Sequence, residues 1–349
     1  MKRIAIHRIC GIGDAVQLTP LLQQIRHDCP DAHISCFISE NAAAVLQESP
    51  WIDDLIALSL ASVTPTALNP LLWRMWLEVA SRGHFDLFLG LGARWRDSLG
   101  AFLVRAKRRG GLSTSASYRL QPFQIIESLP RNPREDQTHA SKHYLDLWTR
   151  ITGYPDQGYR SALPNLGHSD AVSRWNLPGK YLCVAPGAGN WLNPAFNKRW
   201  PPSHWQQLIE FGIASGYTPV LLGNLGDFPD DKLSAGAVSM LGATNLEETA
   251  CVLRHSQGFI GHDSGLFHMA LALDIRSAAF FGPTREDLTG PFRHPNAKIL
   301  RHMLPCSPCC SATCQLPDAA SQAIEGTPIC MSRITPTDAW QQIERFLSS

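Results

Sequence analysis

Two polar turns in this chain combine residue types that bind anions or move protons. The first, residues 11–14, reads Gly-Ile-Gly-Asp and follows residues 4–9, which we interpret as a short buried strand. Glycines at a strand end let the backbone approach a ligand closely, and Asp14, the one carboxylate of the turn, suits a general base. Asp14 is equally suited to capping the helix that follows, so the spacing leaves both interpretations open.

The second turn, residues 262–268, reads His-Asp-Ser-Gly-Leu-Phe-His and links an apolar strand to a predicted helix. Backbone N–H groups of Ser264 and Gly265 would be unpaired donors at the positive end of the helix dipole, which together form an anion site. His268 lies one turn further along the same face. The polarity of the turn makes a diphosphate site an equal alternative to a plainly capped helix.

Basic residues concentrate at two further places. Lys198, in the stretch Asn-Lys-Arg-Trp-Pro of residues 197–201, could neutralise phosphate charge without a metal, or belong to a solvated loop. The first half of the chain carries a second group, which suits an anionic acceptor or a solvated surface equally well. Its members are Arg94, Arg96, Arg105, Lys107, Arg108 and Arg109.

These residues sit on a pattern of strands and helices that runs through the chain twice. A length of 349 residues predicts roughly two domains, and each half alternates apolar strands with helices, which predicts parallel α/β sheets. We place the domains at residues 1–170 and 171–333, with a final helix at 334–349. Duplicated domains of this class usually bind ligand between them, at the carboxyl ends of their strands.

Composition excludes several classes of protein. Hydrophobic residues make up 44% and charged residues 17%, which rules out wholesale disorder, and a net charge of +1 gives no sign of a nucleic-acid partner. No apolar run reaches the roughly 18 residues of a membrane span. His7, Arg8 and Asp14 interrupt any signal-peptide core, so we expect a cytoplasmic protein.

Four motifs in the same order resemble those of the heptosyltransferases of glycosyltransferase family 9, along essentially the whole chain. They are residues 11–14 with Leu18-Thr19-Pro20, Lys198-Arg199-Trp200-Pro201, Asp263-Ser264-Gly265 with His268, and Phe281-Gly282-Pro283-Thr284. The resemblance implies the GT-B fold, two Rossmann-like domains facing across a cleft with the last helix crossing back onto the first. It also implies inverting transfer of heptose from an ADP-heptose donor to a lipopolysaccharide core acceptor, with no metal cofactor in catalysis.

The resemblance assigns roles residue by residue. Asp14 matches the catalytic base, and Lys198 matches a lysine near the donor phosphates. The matches to the donor-binding segment are Asp263, Ser264, Gly265 and His268, with Asp227 loosely matching a ribose contact. Gly187 and Ala188 stand where relatives often carry hydroxyl residues, which leaves the donor sugar open. On the acceptor side we expect Gly13, Arg94 and Arg96, and an anionic glycolipid or glycan acceptor implies peripheral association with the inner membrane.

Five of the ten cysteines fall between residues 306 and 330. Cys306, Cys309, Cys314 and Cys330 have a spacing that suits a structural Zn or Fe site, and many family 9 members carry a similar run. Reduced thiols or disulfides formed on purification are the alternatives. Two other functions stay open: another nucleotide-sugar transferase, including one that modifies autotransporter-type proteins, and a metal-knuckle interaction protein on an inactive scaffold.

Overall fold

The structure, a computed structural model, consists of two compact units, Met1–Asn165 and Leu166–Ser349. The residues it describes are 1–59, 70–92, 99–114, 122–130, 132, 134–168, 173, 175–189, 196–311, 313–314, 316 and 324–349. Arg94 and Arg96, two of the predicted acceptor contacts, lie outside these ranges.

The first unit is built on a six-stranded parallel sheet. Its strands are β1 (Arg3–Arg8), β2 (His33–Ser39), β3 (Asp54–Leu58), β4 (His84–Gly90), β5 (Arg105–Thr114) and β6 (Ile125–Leu129), in the order β3-β2-β1-β4-β5-β6. Its helices are α1 (Ile12–Asp28), α2 (Glu40–Leu46), α3 (Pro70–Ser81) and α4 (Ala140–Thr152), with a 3-10 turn at Leu99–Phe102. This strand order is that of a Rossmann fold.

The second unit repeats the same arrangement. Its strands are β7 (Tyr181–Val184), β8 (Thr218–Leu221), β9 (Val238–Ser239), β10 (Phe259–His262), β11 (Ser277–Phe280) and β12 (Ala297–Leu300), in the order β12-β11-β10-β7-β8-β9 and all parallel. Its helices are α5 (Pro202–Ala214), α6 (Leu246–Arg254), α7 (Gly265–Ala272), α8 (Glu286–Thr289), α9 (Ile329–Ser332) and α10 (Pro336–Ser348), with 3-10 turns at Phe196–Lys198 and Asp230–Lys232. The predicted final helix is α10, which packs against α5.

Each unit has its own apolar core. In the first, Trp76 of α3 is fully buried among the side chains that β4 and the Leu99–Phe102 turn direct inward. In the second, Trp200 stacks on Phe280 with ring centroids 4.3 Å apart, and Trp205 meets both rings edge-on. Every residue of β7, β10 and β11 is buried, as expected for central strands of a parallel sheet covered by helices on both faces.

The strand order fixes where ligands can approach. In each sheet the chain winds outward in both directions from two central strands, β1 and β4 in the first unit and β7 and β10 in the second. Open α/β sheets bind ligands beyond the carboxyl ends of the strands at this switch point. Asp14 follows β1, Gly187 follows β7, and Asp263 follows β10. Asp14, Gly187 and Asp263 therefore stand where this fold offers binding sites.

Candidate active site

The start of α7 presents uncapped backbone donors. Ser264 is its N-cap, with extended backbone (φ −146°, ψ 170°), but its side chain makes no capping hydrogen bond. The Ser264 Oγ is buried and has no hydrogen-bond partner among the described residues. The first-turn N–H groups, beginning with Gly265, are thus left without a side-chain cap, as an anion site at this helix requires.

Three predicted residues meet beside this helix start. Nζ of Lys198 lies 3.0 Å from Oδ2 of Asp263 and 3.4 Å from its backbone oxygen, and Nε2 of His268 lies 3.5 Å from Oδ1. Burial alone would raise the pKa of Asp263, but the Lys198 charge and the His268 hydrogen bond outweigh it and hold that pKa well below its usual range. Asp263 is therefore an ionised, buried anchor that keeps a lysine at the end of β10.

His262, the last residue of β10, joins the ends of the two central strands. Its Nε2 accepts a hydrogen bond from the backbone N–H of Trp200 at 2.9 Å, and its Nδ1 lies 3.1 Å from the carbonyl oxygen of Gly187. Both bonds are satisfied by a neutral ring with the proton on Nδ1. Burial lowers the pKa of His262 to about 4, which agrees with a neutral imidazole. His262 thereby fixes the loop after β7 and the segment that carries Lys198.

The carboxylate of Asp227 packs directly against Gly187. Its carboxylate accepts hydrogen bonds from Arg199 Nη2 at 3.2 Å and from the backbone N–H of Asn224 at 2.7 Å. A Cβ on Gly187 would come within 2.2 Å of Asp227 Cγ, so any larger residue there would displace the Asp227 carboxylate. Arg199 also donates to the carbonyl oxygen of Ala188 at 3.4 Å. The structure thus joins Asp227, Gly187 and Ala188 into one group of contacts.

Asp14 lies in the first turn of α1, next to Gly13. Its Oδ1 is 3.3 Å from Arg8 Nη2, and its Oδ2 accepts the N–H of Gly11 at 3.4 Å. The side chain remains 45% exposed. Asp14 therefore accepts a hydrogen bond from the N–H of the N-cap residue Gly11 and still presents a carboxylate to solvent at the end of β1, so its role as a general base stays a prediction.

Two residues near Asp14, Arg8 and Tyr144, have no sequence motif that points to them. Arg8 lies over the ring of Tyr144, 6.0 Å from its centroid, and Tyr144 on α4 is buried. Burial, with a smaller contribution from the Asp14 charge, raises the pKa of Tyr144 to about 12, although the nearby Arg8 opposes this. The neutral phenol of Tyr144 and the guanidinium of Arg8 therefore lie near the Asp14 carboxylate.

The cysteine loop is held against the end of β11. Ser307 Oγ donates to the carbonyl oxygen of Gly282 at 2.7 Å, and the N–H of Cys310 donates to Pro283 at 2.8 Å. Burial raises the pKa of Cys330 to about 11, with further contributions from Cys309, Cys314 and Cys306. The four cysteines thus share one neighbourhood. Within the described ranges, however, no three His, Cys, Asp or Glu side chains are grouped closely enough to hold a metal ion, so the Zn or Fe site stays a prediction.

Comparison with known proteins decides the family. The model of glycosyltransferase family 9 (heptosyltransferase) matches residues 75–320, well over half of the chain. The chain belongs to glycosyltransferase family 9. Lipooligosaccharide heptosyltransferase 2 of Haemophilus influenzae is 33% identical to this family 9 chain over 307 residues, 83% of the chain and 86% of the relative. The resemblance inferred from the four motifs is confirmed, and the protein is a glycosyltransferase.

Solved structures agree on the fold of the family 9 enzyme. A family 9 glycosyltransferase from Veillonella parvula superposes with a TM-score of 0.78 at 21% identity, covering 99% of this chain and 97% of that one. The E. coli ADP-heptose lipopolysaccharide heptosyltransferase II gives 0.72 at 19% identity, covering 100% and 99%. The predicted α/β fold class, GT-B with two Rossmann-like domains, is confirmed. Among the described helices, none has the length and apolar character needed to cross a membrane.

Proposed function

We propose that this enzyme transfers heptose from ADP-heptose to the core of a lipopolysaccharide or related surface glycan, with inversion at the anomeric carbon. The names of its relatives support the donor and the acceptor class. The observation that carries the proposal is the cluster of Lys198, Asp263 and His268 beside the uncapped start of α7. A lysine and free helix N–H groups together suit the diphosphate of a nucleotide sugar.

On the donor side, the diphosphate accepts hydrogen bonds from the N–H groups of Ser264 and Gly265. Lys198 exchanges part of its contact with Asp263 for the phosphate oxygens and stabilises the negative charge that develops on the leaving ADP. His268 stays bound to the other oxygen of Asp263, which keeps the carboxylate in place during this exchange.

The remaining donor contacts lie after β7 and β8. Asp227 accepts hydrogen bonds from the ribose hydroxyls, and Arg199 orients its carboxylate. Gly187 and Ala188 provide the backbone along which the nucleotide lies. The switch point at β7 and β10 supports this placement, because it is where an open α/β sheet receives a nucleotide.

On the acceptor side, Asp14 acts as the general base. In a single displacement, the acceptor oxygen forms a bond to the anomeric carbon of heptose while the bond from that carbon to the ADP phosphate oxygen breaks. The acceptor proton passes to the Asp14 carboxylate, which Arg8 holds in position. Gly13 allows close approach of the sugar, and Arg94 and Arg96 contact anionic groups of the acceptor.

The proposed transfer takes its positive charge from Lys198 and the helix start, so it needs no catalytic metal. A Zn or Fe ion at Cys306, Cys309, Cys314 and Cys330 would only stabilise the loop that carries these residues. We place the enzyme in the cytoplasm, where it meets its acceptor at the inner face of the inner membrane.

A donor screen tests the proposal. Thermal unfolding is recorded with ADP-heptose, ADP-glucose, UDP-glucose and GDP-mannose, since a ligand that binds only the native state raises the melting temperature. We expect ADP-heptose to give the largest shift and to be the donor consumed when a heptose-free core acceptor is added. A UDP- or GDP-sugar that stabilises more strongly and is consumed instead would replace heptose transfer with another sugar transfer.

A further inference from the structure

Exposed apolar side chains are concentrated on one face of the first unit. Of the eleven large apolar side chains exposed in the described part of the chain, five lie on α3 or in residues 99–103. Leu77 is 59% exposed, Phe102 60% and Leu103 41%, and we call these three residues the apolar patch. Leu71 and Trp73 of α3 are exposed by 40% and 37%. Clustered exposure of this kind marks a surface that meets another apolar phase.

Tight packing of α3 against the Leu99–Phe102 turn holds the apolar patch in place. The opposite face of α3 is buried, and its Trp76 lies so close to Gly100 that a Cβ there would come within 1.9 Å of the indole ring. This contact packs the Leu99–Phe102 turn against α3 and holds Phe102 and Leu103 beside the helix. The exposed side chains therefore do not result from a loosely packed helix, because the same helix already buries its core face.

Cations flank the apolar patch. Arg74 stands one helical turn before Leu77 on the exposed face of α3, and Arg105 follows Leu103 at the start of β5. Both are exposed, and the Lys107 side chain is 80% exposed. An apolar surface edged by basic residues matches an anionic bilayer, whose interface accepts apolar side chains while its headgroups attract cations.

A basic cavity adjoins the patch at the amino ends of β1, β4 and β5. It has a volume of about 430 Å³, and Lys2, Arg3, Arg105, Lys107 and Arg109 are the cations in its lining, with Asp86 the single carboxylate. The Asp86 carboxylate is already occupied, since it accepts hydrogen bonds from Lys107 and from the backbone N–H groups of Lys2 and Arg3. The cavity therefore has a surplus of positive charge that suits a headgroup phosphate.

We propose that the apolar patch and the adjoining basic cavity dock the enzyme on an anionic phospholipid bilayer. An anionic surface complements this face better than a second copy of the chain does, because the apolar patch is edged by Arg74 and Arg105 and a second copy would present the same basic edge. The cavity lies at the amino ends of the strands, whereas Asp14 follows the carboxyl end of β1. A docked enzyme thus keeps the Asp14 edge of this unit free. The bilayer as partner rests on the proposed function, in which the acceptor is an amphiphile.

Vesicle sedimentation of the full-length protein tests the proposal without any substrate. Wild type is expected to sediment with phosphatidylcholine vesicles that contain phosphatidylglycerol, and much less with phosphatidylcholine alone. The double variant Leu77→Glu/Phe102→Glu loses apolar insertion and should bind about tenfold more weakly or worse. Arg74→Glu/Arg105→Glu should lose the preference for anionic vesicles. Leu225→Glu makes the same change at a leucine that is 85% exposed in the second unit, and it should bind like wild type.

Three results would overturn docking: no sedimentation of wild type with anionic vesicles, unchanged binding by Leu77→Glu/Phe102→Glu, or a vesicle-free dimer that this variant dissociates. Transfer assays separate the proposal from the proposed function. The Leu77→Glu/Phe102→Glu variant should glycosylate a lipid-free core oligosaccharide like wild type and lose activity on the same acceptor embedded in vesicles. Wild type that binds vesicles but transfers heptose to neither acceptor would refute the proposed function and leave docking intact.

Discussion

Lys198 reaches Asp263 across 65 positions of sequence, with Nζ 3.0 Å from Oδ2, at the strand end where α7 begins. The buried Asp263 carboxylate holds the Lys198 ammonium group beside the uncapped start of α7 before any ligand arrives. Preorganised charge of this kind stabilises a leaving group without reorganisation during the reaction. This arrangement supports the proposal that the second unit binds the anionic leaving group.

Lys198→Ala tests this role. The variant removes the cation that we propose faces the leaving diphosphate, so we expect kcat to fall by about 10²- to 10³-fold. The matched control is Lys232→Ala, which removes a lysine paired with Glu325 at 2.6 Å in the same unit, and its kcat should stay near wild type. Steady-state kinetics on folded protein measure both. Equal kcat values for Lys198→Ala and Lys232→Ala would refute the role of Lys198.

Asp14→Asn tests the general base. The amide keeps the shape of the side chain but cannot accept the acceptor proton, so transfer should fall by about 10²- to 10⁴-fold. Asp14 lies in the first unit and the proposed nucleotide site in the second, so we expect ADP to bind with unchanged affinity by calorimetry. Asp31→Asn, at another exposed aspartate of the first unit, is the control. Near-normal turnover by Asp14→Asn would leave Asp14 as a helix cap alone.

Gly187→Ala tests the contact with Asp227. The new methyl group would overlap the carboxylate, and we expect the free energy of unfolding to fall by about 1–3 kcal/mol. Adding Asp227→Ala removes the overlap and should restore part of that loss. Gly179→Ala is the control, since a Cβ there meets nothing within 4 Å. Urea denaturation measures the stability of wild type and the three variants. A Gly187→Ala variant as stable as wild type would show that the loop after β7 accommodates the methyl group.

His262 predicts a loss of stability in acid. Its pKa of about 4 in the folded state lies below the usual 6.5, so protonation favours the unfolded chain. The stabilisation from the neutral His262 ring is complete above pH 6.5 and is lost as pH falls towards 4. At pH 5 the free energy of unfolding is lower by about 2 kcal/mol on this account. His262→Asn should therefore lose less stability than wild type between pH 7.5 and pH 5. His255→Asn, at an exposed histidine, serves as control. Equal losses in all three proteins would exclude His262 as the source.

The cysteine loop predicts an order of thiol reactivity. Cys306 and Cys314 are exposed, whereas Cys330 is buried and its pKa is raised to about 11. The thiolate is the reactive form, so iodoacetamide at pH 7.5 should modify Cys306 and Cys314 well before Cys330. Mass spectrometry of peptides gives the order. Adding Zn²⁺ before the reagent tests the predicted metal site in the same experiment: a bound ion would protect all four cysteines, and unchanged labelling would argue against it.

The sequence pattern predicted the strands before the two polar turns, β1 and β10, but it does not predict features that depend on tertiary packing. Pro20 usually would begin or kink a helix, but it lies inside the single helix Ile12–Asp28. Proline cannot donate to the carbonyl oxygen of Val16, and Thr19 Oγ1 donates to it instead at 2.7 Å. This replacement hydrogen bond depends on the rotamer of Thr19, which the hydrophobic periodicity of the sequence does not reveal.

No local sequence pattern predicts strand β5. Its first half carries Arg105, Lys107, Arg108 and Arg109, and such a run of charge is typical of a solvated turn. It forms a strand because β4 and β6 supply hydrogen-bond partners on both sides. The same limit applies to the site: Arg8 stands close to Asp14 in sequence, but Tyr144 comes from α4, and no local pattern connects it to them.

The most direct measurement is transfer itself. Wild type is incubated with ADP-heptose and a heptose-free lipopolysaccharide core acceptor, and mass spectrometry follows the acceptor while chromatography follows ADP. The account predicts one heptose added per ADP released, with neither product formed by Asp14→Asn. ADP release with no heptose on the acceptor, or heptose transfer by Asp14→Asn at the wild-type rate, would contradict it.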